Sequence, residues 1–152
     1  MPPRLPTPDR PEILTVEIDE EVRKAVKGPT RKVLLLEDCD DFREILHQHL
    51  ALRCFEVTSV RNGAEGLREI MNRAFDLIIC DMLMPEVGGE MFYWAVTRAR
   101  PGTAQRFIFF TGHKNHPAIN FFFQRVRARV LIKPFPLAEL DSTIHDVLLK
   151  LR

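Results

Sequence analysis

Four short apolar runs each end on a residue that can do chemistry, and this repetition constrains the fold more than any other feature of the chain. Val33 to Leu36 leads into Glu37 and Asp38, Phe75 to Cys80 (broken only at Asp76) into Asp81, Phe107 to Phe110 into Thr111, and Val130 to Ile132 into Lys133 and Pro134. Short apolar runs separated by helical patterns imply βα units. In an open parallel sheet the residues just past the carboxyl ends of the strands face one crevice. Two acids, a third acid, a hydroxyl and an amine are therefore expected to meet there. The gaps from Asp38 to Asp81 to Thr111 to Lys133 each leave room for one βα unit, or two in the first.

The segments between the runs have the required periodicity. After strand one (Val33 to Glu37), a helix from about Asp40 carries Phe42, Ile45, Leu46, His49 and Leu50 at helical spacing, with Asp40 or Asp41 available as N-cap. Strand two, Phe55 to Val60, alternates with polar positions and suits a sheet edge. Asn62-Gly63 then turns the chain into a helix with Leu67, Ile70, Met71 and Ala74 on one face. Gly88 and Gly89 are expected to loosen the loop past Asp81, before a helix over Glu90 to Arg98 that Pro101-Gly102 breaks. A further helix, about Pro117 to Arg127, places Ile119, Phe122, Phe123 and Val126 together. The last starts near Pro136 and carries Leu137, Leu140, Ile144, Val147, Leu148 and Leu151 to the chain end, so no output domain is expected after it. No internal repeat is visible.

Three carboxylates in one cleft repel each other, and a hard divalent cation with oxygen ligands relieves that repulsion. Magnesium suits such a site, with phosphate oxygens as its further ligands. Lys133 and Thr111 would bind the remaining oxygens of a phosphoryl group accepted by Asp81 as nucleophile.

With that constellation the chain, from about residue 31 to 152, resembles a response-regulator receiver domain of two-component signalling. The resemblance implies an α/β fold: a doubly wound, flavodoxin-like parallel sheet of five strands in the order 2-1-3-4-5, with helices on both faces. It implies Asp81 as phosphoacceptor and Mg2+ as cofactor, held by Glu37 (through water), Asp38, Asp81 and the backbone carbonyl of Leu83. Thr111 and Lys133 match the family's hydroxyl and lysine, and Lys133-Pro134-Phe135 matches its Lys-Pro, whose peptide bond is usually cis. The implied partner is a histidine kinase or a histidine phosphotransfer protein, with a homodimer possible. The chain would be a signalling domain and not an enzyme beyond its own phosphotransfer and dephosphorylation. The stretch Val130 to Phe135 is most similar to receivers fused to hybrid histidine kinases. One position departs from the family: where an aromatic residue usually stands three before the lysine, this chain has Val130.

Composition restricts the alternatives. With 152 residues, 45% of them hydrophobic and 28% charged, the chain can build one good core. A formal net charge of +1 calls for no direct nucleic-acid contact. No apolar run is long enough for a membrane span, and the start has no signal-peptide centre, so a cytoplasmic location is expected. Cys39, Cys54 and Cys80 form no metal-type pair, and Cys80 reads as core. His47 and His49 point to different helix faces, so they belong to the surface or rim. Phe121, in a run of three phenylalanines, should be partly exposed, and Arg125, Arg127 and Arg129 should form a solvated rim.

Competing functions fare worse. A flavin-binding electron carrier needs an anion-friendly loop after strand one, and Glu37-Asp38-Cys39-Asp40-Asp41 is the opposite. An Asp-nucleophile phosphohydrolase commonly has a second acid two residues on, where this chain has Leu83. The runner-up is a pseudo-receiver, an interaction module that works without phosphorylation. Residues 1–30 read as an extension or linker: a Pro-rich start, alternating Leu14, Val16 and Ile18, then a possible short helix from Asp19 to Lys27, with Gly28-Pro29 before strand one.

Overall fold

A computed structural model of the chain describes residues 30–151, apart from Lys114. The extension over residues 1–29, including its suggested short helix, lies outside the described residues. Five strands and five helices alternate: β1 Lys32–Leu36, α1 Asp40–Leu52, β2 Glu56–Val60, α2 Gly63–Asn72, β3 Leu77–Asp81, α3 Gly89–Ala99, β4 Phe107–Thr111, α4 Pro117–Arg125, β5 Arg129–Ile132 and α5 Leu137–Lys150. A 3-10 helix, Pro101–Arg106, joins α3 to β4. All strand pairings are parallel and the order is β2-β1-β3-β4-β5, as expected, with β2 at an edge.

The alternation of side chains along the strands builds two cores. Leu34, Leu36, Ile78, Cys80, Phe107 and Phe109 pack against Ile70 of α2, Phe92, Tyr93 and Val96 of α3, and Ile119 and Phe122 of α4. The intervening residues Val33, Leu35, Leu77, Ile79, Ile108, Phe110 and Leu131 pack against Leu46 and Leu50 of α1 and Leu140, Ile144 and Val147 of α5. Strands β3 and β4 are buried along their whole length. Both of their faces are apolar, the pattern of a parallel sheet covered on each side. Phe109 anchors the first core, with its ring against those of Tyr93, Phe107, Phe122 and Phe123.

Three local expectations need correction or refinement. Cys39, not Asp40 or Asp41, occupies the N-cap of α1. The two acids sit in the first helical turn, where Asp40 pairs with Arg43 and both face the positive end of the helix dipole. Helix α4 stops at Arg125, two residues early, because Val126 is extended and turns inward to the core. Gly88 and Gly89 also do not loosen the loop. Gly88 is the N-cap of α3, and the Gly89 N–H donates to the Met82 carbonyl at 3.0 Å. A Cβ on Gly89 would lie 2.7 Å from the Asp81 carbonyl oxygen and 3.0 Å from Met82 Cα. Glycine is required here for close approach of backbone to backbone.

Other expectations agree with the structure. The side chain of Phe121 is 58% exposed. His47 and His49 serve separate contacts, to Ser59 and Asp141. Arg125, Arg127 and Arg129 are all exposed.

Gly89→Ala should therefore push the start of α3 away from the end of β3. We expect a loss of about 1–3 kcal/mol in urea unfolding, the usual cost of overpacking. An unchanged midpoint would show that this approach is not tight.

Candidate functional site

The sheet register assembles the site. Leu36 of β1 is level with Cys80 of β3, so the residues that follow, Glu37 and Asp81, lie side by side. Asp81 is level with Phe110 of β4, and Thr111 with Ile132 of β5, so Thr111 and Lys133 extend the same edge. Adjacent strands lie about 4.8 Å apart, within reach of a long side chain. Continuing the alternation of each strand places Glu37, Asp81 and Lys133 on the α1 and α5 face and Thr111 on the other.

Lys133 bridges the two buried acids. Its ammonium donates to Asp81 Oδ2 at 3.0 Å and to Glu37 Oε2 at 3.1 Å. The Leu83 N–H donates to Asp81 Oδ1 at 3.3 Å, and the Cys39 N–H to Glu37 Oε1 at 3.2 Å. Glu37 and Asp81 are 1% and 6% exposed, whereas Asp38 is open to solvent. Thr111 is buried, and its Oγ1 accepts from the His113 N–H at 3.0 Å. The Lys133 N–H donates to the Thr111 carbonyl at 2.9 Å, and the peptide bond from Lys133 to Pro134 is cis.

Glu37, Asp38 and Asp81 can each turn a carboxylate oxygen to within 4.8 Å of the others. Three carboxylates thus face one ammonium, an excess of negative charge. Its consequence appears at Glu37: burial, then the charge of Asp81, push its carboxyl up from 4.5 to about 7, against the pull of Lys133 and the Cys39 N–H. For Lys133 burial acts downward, but the hydrogen bonds and charges of Asp81 and Glu37 together raise the ammonium above its ordinary value. Cys80 is driven well up by burial, with Asp81 and Glu37 adding, which suits an inert core thiol. The donor set is all oxygen and its charge is uncompensated, so the residues present fit a hard divalent cation.

Several contributors were not singled out as site residues by sequence reasoning. The rings of Phe42 and Phe110 lie 5.0 and 5.6 Å from the Lys133 ammonium, distances of cation–π contact. Both rings also pack against Phe135, which backs the two aromatics that face the ammonium. Phe42 reads from sequence as an ordinary core position, and its only signal is its place in the first turn of α1, beside the acidic loop. Arg43 Nη1 donates to the Glu37 carbonyl at 2.9 Å, tying α1 to the end of β1.

Comparison with known proteins agrees with this geometry. A family model described as the response regulator receiver domain matches residues 33–145. Among curated proteins, the response regulator receiver protein CpdR of Brucella abortus is 32% identical over 120 residues, covering 78% of this chain and 98% of CpdR. The transcriptional activator protein PfeR of Pseudomonas aeruginosa is also 32% identical, over 124 residues and 82% of this chain, which spans only 40% of PfeR. Among solved structures, the chemotaxis protein CheY4 of Vibrio cholerae superposes with a TM-score of 0.71 at 28% identity, over 79% of this chain and all of that one. The chain belongs to the response regulator receiver domain family.

The raised Glu37 carboxyl has a measurable sign. The native protein holds that proton more tightly than the unfolded chain, so its contribution is fully present below about pH 4.5 and is lost as pH rises to about 7. In a chelator-treated sample the unfolding free energy should therefore fall across that window. Glu37→Gln should remove this fall and be the more stable protein at about pH 8. Parallel pH profiles for the two proteins in urea unfolding would contradict it.

Proposed function

We propose that the chain is a phosphoryl-accepting receiver of a two-component phosphorelay. A carboxylate oxygen of Asp81 attacks the phosphorus of a phosphohistidine carried by a histidine kinase or a histidine phosphotransfer protein. The new O–P bond forms on Asp81 as the P–N bond breaks, and its electron pair leaves with the donor imidazole, which solvent protonates. The observation that carries this reading is the Lys133 ammonium, held 3.0 Å from Asp81 Oδ2 at the carboxyl end of the sheet. A fixed cation there favours an oxygen that gains charge during transfer.

The other residues fall into supporting roles. The N–H of Leu83 orients Asp81, leaving one carboxylate oxygen for Lys133 and for attack. Thr111 already accepts from His113 and so keeps its own hydroxyl proton to donate to a phosphoryl oxygen. Asp38, Asp81, the Leu83 carbonyl and, through water, Glu37 would hold Mg2+. When bound, that ion offsets charge on the carboxylates and on the phosphoryl oxygens.

How the phosphorylated state is signalled depends on Val130. This residue is half-buried, level with Phe109, and has no ring to swing. The loop after Asp81 is better connected. The Gly63 N–H donates to the Val87 carbonyl at 3.1 Å, joining that loop to α2. The receiver therefore acts as a relay or reports through the Met82 to Gly89 loop.

Treatment with a small phosphodonor should add one phosphoryl group by mass spectrometry, only with magnesium present. Asp81→Asn should abolish the adduct, and hydrogen exchange in the phosphorylated protein should change at residues 82–89. Equal labelling of Asp81→Asn would refute the acceptor, and no labelling of the natural chain would favour the pseudo-receiver. Exchange changes confined to residues 117–135 would refute the role given to the loop.

A further inference from the structure

The edge of the sheet opposite Asp81 has a feature that phosphoryl chemistry does not use. At the amino ends of β1, β3 and β4, a cleft of about 380 Å3 is lined by Lys32, Arg73, Arg100 and Arg106 around apolar Ile70 and Phe75. Asp76 is its one acidic lining residue, and its carboxylate already accepts from the Lys32 N–H at 2.8 Å. Backbone carbonyls position two of the guanidinium groups: Arg100 donates to the Arg73 carbonyl at 3.4 Å, and Arg106 to the Asp76 carbonyl at 3.2 Å. Carbonyls orient these cations without cancelling their charge. Among the described residues only Arg73 of these four has a side-chain ion pair, with Glu69 at 3.1 Å. An apolar-floored, positively charged cleft suits an anionic, partly apolar ligand.

Such a ligand is tethered beside it. Lys32 lines the cleft, and the chain reaches Lys32 through Thr30 from the preceding residues. Within residues 12–21 stand Glu12, Glu17, Asp19, Glu20 and Glu21, interleaved with Ile13, Leu14, Val16 and Ile18, and no basic residue. Between that stretch and the fold stand Arg23, Lys24 and Lys27, whose like charge disfavours them as occupants of the cleft. The span from Glu21 to Lys32 reaches at most about 36–40 Å when extended. A short tether also holds the segment at an effective concentration on the order of millimolar.

We propose that the acidic-apolar segment over residues 12–21 docks within the same molecule into the basic cleft at the amino ends of the strands. Its apolar side chains fill the cleft over Ile70 and Phe75, and its carboxylates meet Lys32, Arg73, Arg100 and Arg106. The docking caps the end of the sheet remote from Asp81 and leaves the acidic edge open. It does not depend on the phosphoacceptor reading.

Amide NMR spectra of the full chain test this, compared with a full-length variant carrying Glu12→Gln, Glu17→Gln, Asp19→Asn, Glu20→Gln and Glu21→Gln. Signals of β3 and β4 serve as the control for an intact core. At low ionic strength we expect the two proteins to differ at Arg73, Ala74, Arg100, Thr103 and Arg106. The difference should be independent of protein concentration and largely gone near 0.5 M salt, where charges are screened beyond about 4 Å. Arg100→Glu in the natural chain should shift signals of residues 12–21 in the same way as salt. Unchanged cleft signals, shifts gathered on another surface, or shifts that grow with protein concentration would each overturn the proposal, the last by assigning the segment to a second copy.

Discussion

One ammonium shared between two buried carboxylates is the interaction on which the site depends. Lys133 stands 96 residues from Glu37 and 52 from Asp81 in sequence, yet it bonds both. Removing Lys133 would leave two buried carboxylates with no compensating charge, whereas removing Glu37 leaves a matched pair of Lys133 and Asp81. Even with Lys133 in place the acids outnumber the cation, and the raised carboxyl of Glu37 expresses that imbalance. The site therefore favours further positive charge, which a divalent ion would supply.

What makes this arrangement possible is the parallel register, which delivers the ends of β1, β3, β4 and β5 to one edge. The two cores then fix the geometry from both faces. On the α1 and α5 side, Phe42 and Phe110 face the Lys133 ammonium, with Phe135 packed behind them. On the other side, Gly89 lets α3 start against the backbone of Asp81 itself. Packing and electrostatics are thus coupled at one residue: Asp81 ends a fully buried strand and belongs to the charged cluster. The opposite edge carries a separate basic cleft, so the two ends of the sheet differ in sign as well as in chemistry.

Most of this organisation was legible in the chain because period-2 burial and strand-end chemistry coincide. The runs ending at Glu37, Asp81, Thr111 and Lys133 announced both a parallel sheet and a shared crevice. Local detail was less legible. Asp40 and Asp41 look like N-caps by residue type, but the loop places Cys39 there and spends the acids on the helix dipole and Arg43. Gly88-Gly89 looks like a flexible pair, yet Gly89 answers a close contact visible only once α3 is docked. Phe42 has the spacing of any core residue, so its part in holding Lys133 depends on tertiary neighbours. Thr111 has the right position but the opposite strand face, a parity that becomes decisive only after the register is known. The basic cleft was invisible for the same reason, since Lys32, Arg73, Arg100 and Arg106 come from four separate segments.

Glu37, Asp38 and Asp81 together carry more negative charge than Lys133 neutralises, so they should bind one divalent cation. Calorimetric titration with magnesium tests it most directly, on the natural chain and on Asp38→Ala and Lys133→Ala. The account predicts a single site in the natural chain, loss of most of the affinity in Asp38→Ala, and tighter binding in Lys133→Ala, where the competing ammonium is gone. Equal affinity in the natural chain and Asp38→Ala, or weaker binding in Lys133→Ala, would contradict it.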